Sequence, residues 1–182
     1  MGHPWLVSQK HQNITRLTKM HPQASYPTPS TGHDDNEPDP TKAKLERLSA
    51  VVVHAINSRD FTFQSKEAKE LILHIAPDFK AQLDTTGDPR TVDWDEQVSR
   101  WRQRAEEFPN VQFHILHVDI SVDSTDSHAS VYMDMEVTGI GDVKLQAMNE
   151  VKWKKVGGPA SPWVLYFVIG MRGSQANSGG FD

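Results

Sequence analysis

His114 and Asn149 are the residues of this sequence whose type and position favour chemistry. Each is the single polar member of an apolar face in a segment that alternates with a period of two, as strands do. A polar group buried on such a face costs roughly 1–3 kcal/mol unless it finds a hydrogen-bond partner. Histidine can act as a general base near neutral pH, and asparagine can orient a carbonyl or hydroxyl, or donate to an enolate oxygen. The pair therefore predicts a pocket for acid–base chemistry; the alternative is that both are satisfied core groups or lie at a frayed sheet end.

Alternating segments define the sheet face that would carry these two residues. Residues 111–123, 129–138 and 143–156 alternate, and residues 163–172 form a fourth strand that is apolar on both faces. Short turns join the strands, which predicts an antiparallel meander. The inward-facing residues are predicted to be His114, Leu116, Val118, Ile120 and Val122 in the first strand, Val131, Met133, Met135 and Val137 in the second, and Leu145, Ala147, Asn149, Val151 and Trp153 in the third.

Helical periodicity precedes the strands. Apolar residues recur at three- and four-residue spacing over residues 41–58, 65–75 and 93–108, which predicts three helices. Helices followed by a sheet indicate an α+β fold with the helices packed on one sheet face. The apolar walls of a pocket around the two polar residues are expected to include Trp101, Met133, Met135 and Trp153.

Composition excludes several classes of function. The chain has 182 residues, with 24 Asp and Glu against 19 Lys and Arg, and no basic stripe that would indicate a nucleic-acid partner. It has no cysteine, which excludes disulfides, thiolate catalysis and Cys-ligated metals. No apolar run approaches the roughly 20 residues of a membrane-spanning helix, and neither metal-ligand spacing nor a Gly-rich phosphate loop occurs. We therefore expect a soluble protein that needs no metal or cofactor.

The two ends of the chain differ in composition from the middle. Five of the eleven prolines lie between Pro22 and Pro40, where apolar residues are sparse. Such a segment cannot bury enough apolar surface to offset its ordering entropy, so residues 1–40 are predicted to be a disordered leader and residues 173–182 a flexible tail. The folded domain is predicted at 41–172. A cytoplasmic location is expected, with organelle targeting as the minor alternative because residues 1–33 contain no acid.

Three sequence features carry a resemblance to a known superfamily. They are the order of helices before a meander, the run Ile75-Ala76-Pro77-Asp78 that closes the second helix, and Trp153-Lys154-Lys155 followed by a Gly turn and Trp163-Val164-Leu165. Over about residues 43–172 the chain resembles the NTF2-like superfamily, which includes SnoaL-like polyketide cyclases, ketosteroid isomerase and scytalone dehydratase. The resemblance implies a cone-shaped sheet with a pocket at its mouth, a homodimer, and a setting in secondary metabolism.

The resemblance also implies roles for particular residues. Scytalone dehydratase has a catalytic histidine and an asparagine on the strands where His114 and Asn149 lie. The acidic residue at the end of its first helix corresponds to Asn57 here. Ketosteroid isomerase uses an aspartate shortly after its second helix, near the position of Asp84, which makes Asp84 a reserve base.

The function predicted from these observations is a cofactor-free lyase, isomerase or cyclase that acts on a cyclic, largely apolar metabolite. His114 would be the acid or base and Asn149 would orient the substrate oxygen. Two alternatives stay open: a non-catalytic protein that binds the same kind of small molecule, and a dimerising scaffold whose cone is filled by its own side chains. Fold alone does not separate these three functions.

Overall fold

The computed structural model describes residues 39–83, 90–158 and 160–175, with only the backbone described at residues 83 and 171–175. These residues belong to one compact unit that begins at Glu37. The elements are α1 (Pro40–Ser58), α2 (Lys66–Ile72), β1 (Ile75–Leu83), β2 (Thr91–Val92), α3 (Trp94–Glu107), β3 (Gln112–Val122), β4 (His128–Ile140), β5 (Val143–Lys155) and β6 (Trp163–Gln175). The predicted leader lies almost entirely outside the described residues, and β6 extends three residues beyond the predicted domain end at 172.

Helix α1 is fixed at both ends by side-chain chemistry. Asp39 is the N-cap, and its carboxylate accepts a hydrogen bond of 2.8 Å from the Thr41 N–H. The helix ends where Arg59 adopts a left-handed conformation, and the Arg59 guanidinium donates to the carbonyl oxygens of Pro109 and Val111. Leu45 and Leu48 point into the core, so α1 packs across the concave side of the sheet.

The sheet contains two strands that the sequence patterns did not predict. Strands β1 and β2 lie between α2 and α3, so the predicted order of three helices followed by a meander is wrong, and α2 ends at Ile72, earlier than expected. The strand order is β2-β1-β6-β5-β4-β3. Because β1 pairs in parallel with β6 while the other pairs are antiparallel, the curved six-stranded sheet is mixed and not purely antiparallel.

A bulge interrupts the alternation of β3. Its pairing with β4 shifts between Ile115 and His117, so Leu116 is an extra residue in the strand. Phe113 and Ile115 pack against the core before the bulge, and Val118 packs against it after the bulge. The inward prediction is therefore correct from residue 118 onward and wrong for His114 and Leu116; the Leu116 residue is 61% exposed.

No helix among the described residues is long and apolar enough to cross a membrane. Within the same residues, no group of three His, Asp or Glu side chains is close enough together to hold a metal ion.

Candidate functional site

A cavity of about 640 Å³ lies between the helices and the concave face of the sheet. Small-molecule sites in proteins have volumes of roughly 300–1,000 Å³. Most of the lining is apolar, and it includes Val52, Val53 and Ile56 from α1, Phe113 from β3, Met133, Met135, Val137 and Ile140 from β4, Leu145, Ala147 and Val151 from β5, and Leu165 and Val168 from β6. The size and lining are those of a pocket for a largely apolar molecule.

Helix α3 forms one wall of the cavity with a row of side chains that are aromatic and polar in turn. Residues 94, 97, 101 and 104 follow one another at spacings of three and four, which places them on one face of α3, and residue 108 follows directly after the helix as its C-cap. All five line the cavity: Trp94, Gln97, Trp101, Arg104 and Phe108. Asp93 fixes where the helix begins. Its carboxylate caps the helix by accepting a 2.9 Å hydrogen bond from the Glu96 N–H.

Aromatic contacts hold the first turn of α3 against the core. The Trp94 ring meets the edge or face of Phe63, Phe79 and Trp101, with ring centroids 5.3, 5.2 and 5.7 Å apart. Edge-on aromatic pairs at these distances are favourable. The Trp94 and Trp101 rings are therefore fixed in place as part of the cavity wall.

Gln97 is a buried polar residue in this apolar wall. Only 3% of its surface is exposed, and its Oε1 atom has no hydrogen-bond partner among the described residues. An unpaired buried polar atom costs roughly 1–3 kcal/mol. The side-chain amide turns easily about its terminal bond, and Gln97 borders the cavity, so a polar atom placed there could complete its hydrogen bonding.

Charged residues described on the lining all come from α3. Arg100 is already paired, because its Nη2 atom lies 2.6 Å from Glu96 Oε1. Arg104 forms no ion pair with any described residue, and its guanidinium carbon lies 5.9 Å from the centroid of the Phe108 ring. Glu107, the remaining charged residue on the lining, is exposed to solvent. The partly exposed Arg104 therefore presents a positive charge that no described residue neutralises in an ion pair.

Asn149 borders the same cavity from the sheet. It is half-buried, it lies opposite Met133 and Gly170 in the neighbouring strands, and its side chain has no hydrogen bond to the described residues. A methyl group added at Gly170 would come within 3.3 Å of Asn149 Oδ1, so the glycine keeps the space beside this oxygen open. The structure thus brings Asn149 together with Trp101, Met133 and Met135, as the sequence analysis expected, while the role of Asn149 stays a prediction.

His114 lies away from the cavity. The β3 bulge turns it to the convex side of the sheet, where it is exposed and its Nε2 atom lies 3.3 Å from Thr138 Oγ1. The expected burial of His114 is wrong, and its assignment as a general base depended on that burial. His114 is not among the residues that line the cavity.

Three other residues predicted for the site do not line the cavity in the described part of the structure. Trp153 is fully buried and its indole N–H donates to Ser49 Oγ at 3.1 Å, so it belongs to the core and not to the cavity wall. Asn57 uses its amide to bond both the N–H and the carbonyl of Phe113, at 2.9 and 2.8 Å, and so ties α1 to β3. Asp84 lies outside the described residues.

Solved structures similar to this chain share one architecture. A hexachlorocyclohexane dehydrochlorinase from Novosphingobium barchaimii LL02 matches 78% of this chain and 94% of its own, with a TM-score of 0.56 and 10% identity. An NTF2-like protein of unknown function from Pseudomonas putida KT2440 matches 76% and 90%, with a TM-score of 0.55 and 11% identity. The chain has an NTF2-like fold. Nuclear transport factor 2 from Cryptosporidium parvum also has this fold and matches 74% and 97%, with a TM-score of 0.52 and 10% identity.

At these identities the likeness establishes the NTF2-like fold alone. No family model and no curated protein matches the sequence. The site of this NTF2-like chain must therefore be read from its own residues.

Gln97 and Arg104 were not predicted as site residues from the sequence. Both lie on the same helical stripe as Trp94 and Trp101, of which Trp101 was expected in the pocket wall. A polar residue within an apolar helical stripe is the signal that could have found them, because such a residue must be buried or must face a cavity.

Proposed function

We propose that this protein binds a largely apolar small molecule in the cavity between α1, α3 and the sheet. The observation that carries the proposal is Gln97, a buried amide with an unpaired oxygen on the wall of an otherwise apolar cavity. A ligand that fills the apolar space and offers a hydroxyl or N–H group to this amide would relieve the missing hydrogen bond. Apolar cavities with a few polar groups that fix orientation are the usual form of small-molecule sites.

The open cavity counts against the alternative of a scaffold whose cone is filled by its own side chains. A cone filled by its own side chains would leave little internal space, whereas about 640 Å³ is open here. The inner strands contribute small residues at this point, notably Ala147 and Gly170, so the side chains of the sheet do not close the space. This observation favours a ligand-binding role over a purely structural one.

Acid–base conversion of the bound molecule is the second candidate function. Its support is the presence of Glu107 and Arg104 on the same lining, where a carboxylate could remove a proton and a guanidinium could stabilise the negative charge that develops on oxygen. The dehydrochlorinase among the similar structures is an enzyme with this fold. An isomerase, lyase or cyclase activity, like its setting in secondary metabolism, stays a proposal. Homodimer formation is likewise a proposal, which the mass of the protein in solution would test.

Ligand capture tests the binding proposal. The purified full-length protein is incubated with a metabolite extract, freed of unbound compounds, and analysed by native mass spectrometry. The Ala147→Phe variant places a ring in the cavity and is expected to lose the captured compound. The Met148→Phe variant is the matched control, because residue 148 adjoins residue 147 in β5 but is not among the residues that line the cavity.

The outcomes separate the candidate functions. Capture by the wild type and by Met148→Phe, with loss in Ala147→Phe, supports binding in the cavity. Conversion of the compound by the wild type, abolished in Glu107→Gln, supports the enzymatic candidate. Capture that persists in Ala147→Phe would place the ligand elsewhere and contradict the proposal.

A further inference from the structure

Helix α3 presents polar groups to the cavity at two levels. Gln97 is buried near the start of the helix, and Arg104 is partly exposed two turns later. Seven residues of α-helix span about 10 Å along the axis, so the two side chains address different parts of anything the cavity holds. Apolar rings lie between and around them, with Trp101 on the intervening turn.

Of the two polar groups on α3, Arg104 is the one that can bind an anion. Arg104 can only donate hydrogen bonds, and its geometry matches a carboxylate. The neighbouring Arg100 is a poor competitor for an anion, because its guanidinium already contacts Glu96. Neither the carboxylate of Glu107 on the next turn nor any other carboxylate in the described part of the chain forms an ion pair with Arg104, so among these residues nothing competes with a ligand for its charge.

We propose that the cavity selects an amphipathic carboxylic acid, whose apolar body fills the space beside Trp101 and whose carboxylate is bound by Arg104. A hydroxyl or N–H group at the far end of such a molecule reaches the amide of Gln97. This inference rests on the proposed binding function and specifies the ligand class for the same site.

Matched probes of equal apolar size test the inference. Binding of decanoate, decanol and ω-hydroxydecanoate to the full-length protein is measured by titration calorimetry. The intrinsic tryptophan fluorescence, to which the cavity-lining Trp94 and Trp101 contribute, is a second readout. A charge-assisted hydrogen bond adds enough to raise affinity at least about tenfold. Decanoate is therefore expected to bind at least about tenfold more tightly than decanol, and ω-hydroxydecanoate more tightly than decanoate.

Substitution of Arg104 tests whether this side chain causes the tighter binding of decanoate than of decanol. Arg104→Gln is expected to lower the affinity for decanoate at least about tenfold and to leave the affinity for decanol within about twofold. Arg104→Lys should recover only part of the loss, because a lysine lacks the planar fork. Arg102→Gln is the control, since Arg102 lies on the same helix, is exposed and is not among the lining residues.

The possible failures are distinct. If decanol binds as tightly as decanoate, and both are lost in Ala147→Phe, the acid-specific inference is overturned while the binding function stands. If Arg104→Gln weakens decanol and decanoate equally, Arg104 acts on packing and the inference is overturned. If none of the three probes binds to the wild type, the acid-specific inference is overturned, and the binding function is decided separately by the capture experiment with Ala147→Phe.

Discussion

At the scale of single residues, the molecule separates two kinds of polar side chain that look alike in sequence. Asn57 and Gln97 are both amides on helices that pack against the sheet. Asn57 both donates a hydrogen bond to and accepts one from the backbone of Phe113, whereas Gln97 retains an unpaired oxygen beside the cavity. Buried amides of the first kind stabilise a fold, and those of the second kind are available to a ligand.

Asn57 is therefore expected to act on stability. Asn57→Ala removes both hydrogen bonds to Phe113 and leaves its N–H and carbonyl without these partners, which should lower the free energy of unfolding by about 1–3 kcal/mol. Ser58→Ala is the control, because Ser58 is exposed and bonds only carbonyls of its own helix, so its effect should stay within about 0.5 kcal/mol. Urea unfolding followed by circular dichroism measures both. A ligand-binding defect in Asn57→Ala without loss of stability would contradict the structural role.

His114 shows how a residue-scale prediction depends on its strand. Its type favoured catalysis, and strict alternation placed it inside, but a single extra residue in β3 reversed the facing of everything before it. A bulge has no reliable sequence signal, because it is set by how the strand pairs with its neighbour. Asn149, on a strand whose alternation is regular at that point, was placed correctly.

At the scale of elements, local pattern predicted most helices and strands, and long-range pairing decided the rest. The ends of α3 and the four long strands fall within a few residues of the prediction. Strand β1 was missed because Pro77 was interpreted only as a helix stop. Its pairing with β6 shifts between Ile75 and Lys80, and this irregular stretch is where a strand tolerates a proline. Parallel pairing with a strand about 90 residues later leaves no local trace.

The end of the β4 strand makes a contact that explains Gly139. Its φ angle is +80°, and an added Cβ would overlap the backbone oxygen of Asn110 in the segment between α3 and β3. Gly139→Ala is expected to lower the free energy of unfolding by about 2 kcal/mol or more, from backbone strain and from the clash. Gly141→Ala is the matched control, since its φ of +63° carries the strain but no atom lies within 4 Å of the added methyl group.

Thermal and urea unfolding of the two glycine variants separates the cost of backbone strain from the cost of the steric clash. Strain alone should give Gly141→Ala a loss of about 1–2 kcal/mol. Equal losses in the two variants would show that the segment around Asn110 moves aside freely, which contradicts the close packing described for this end of the sheet.

At the scale of the whole molecule, the curved sheet and the two long helices enclose space that the core does not fill. The core around Trp153 and Leu45 lies against the first half of α1, and the cavity lies between the second half of α1, α3 and the sheet. Sequence patterns identified the inward face of β4 and β5, and of β3 after its bulge, but not this division, because core and cavity wall have the same alternation. Which inward residue touches a helix and which borders open space depends on where the helices dock. Trp153, whose indole N–H donates a hydrogen bond to Ser49, belongs to the core and not to the cavity wall.

The central claim is that the Gln97 amide serves a ligand and not the fold, and Gln97→Leu tests it most directly. Removing an unpaired buried amide should raise the free energy of unfolding of the ligand-free protein by about 1 kcal/mol, and should remove the advantage of ω-hydroxydecanoate over decanoate. Gln103→Leu, on an exposed position of the same helix outside the cavity lining, should change neither quantity. Urea unfolding and calorimetric titration of the wild type and both variants give the answer. A Gln97→Leu protein that is less stable than the wild type, with unchanged preference between the two acids, would show that the amide is a structural group and would contradict the account.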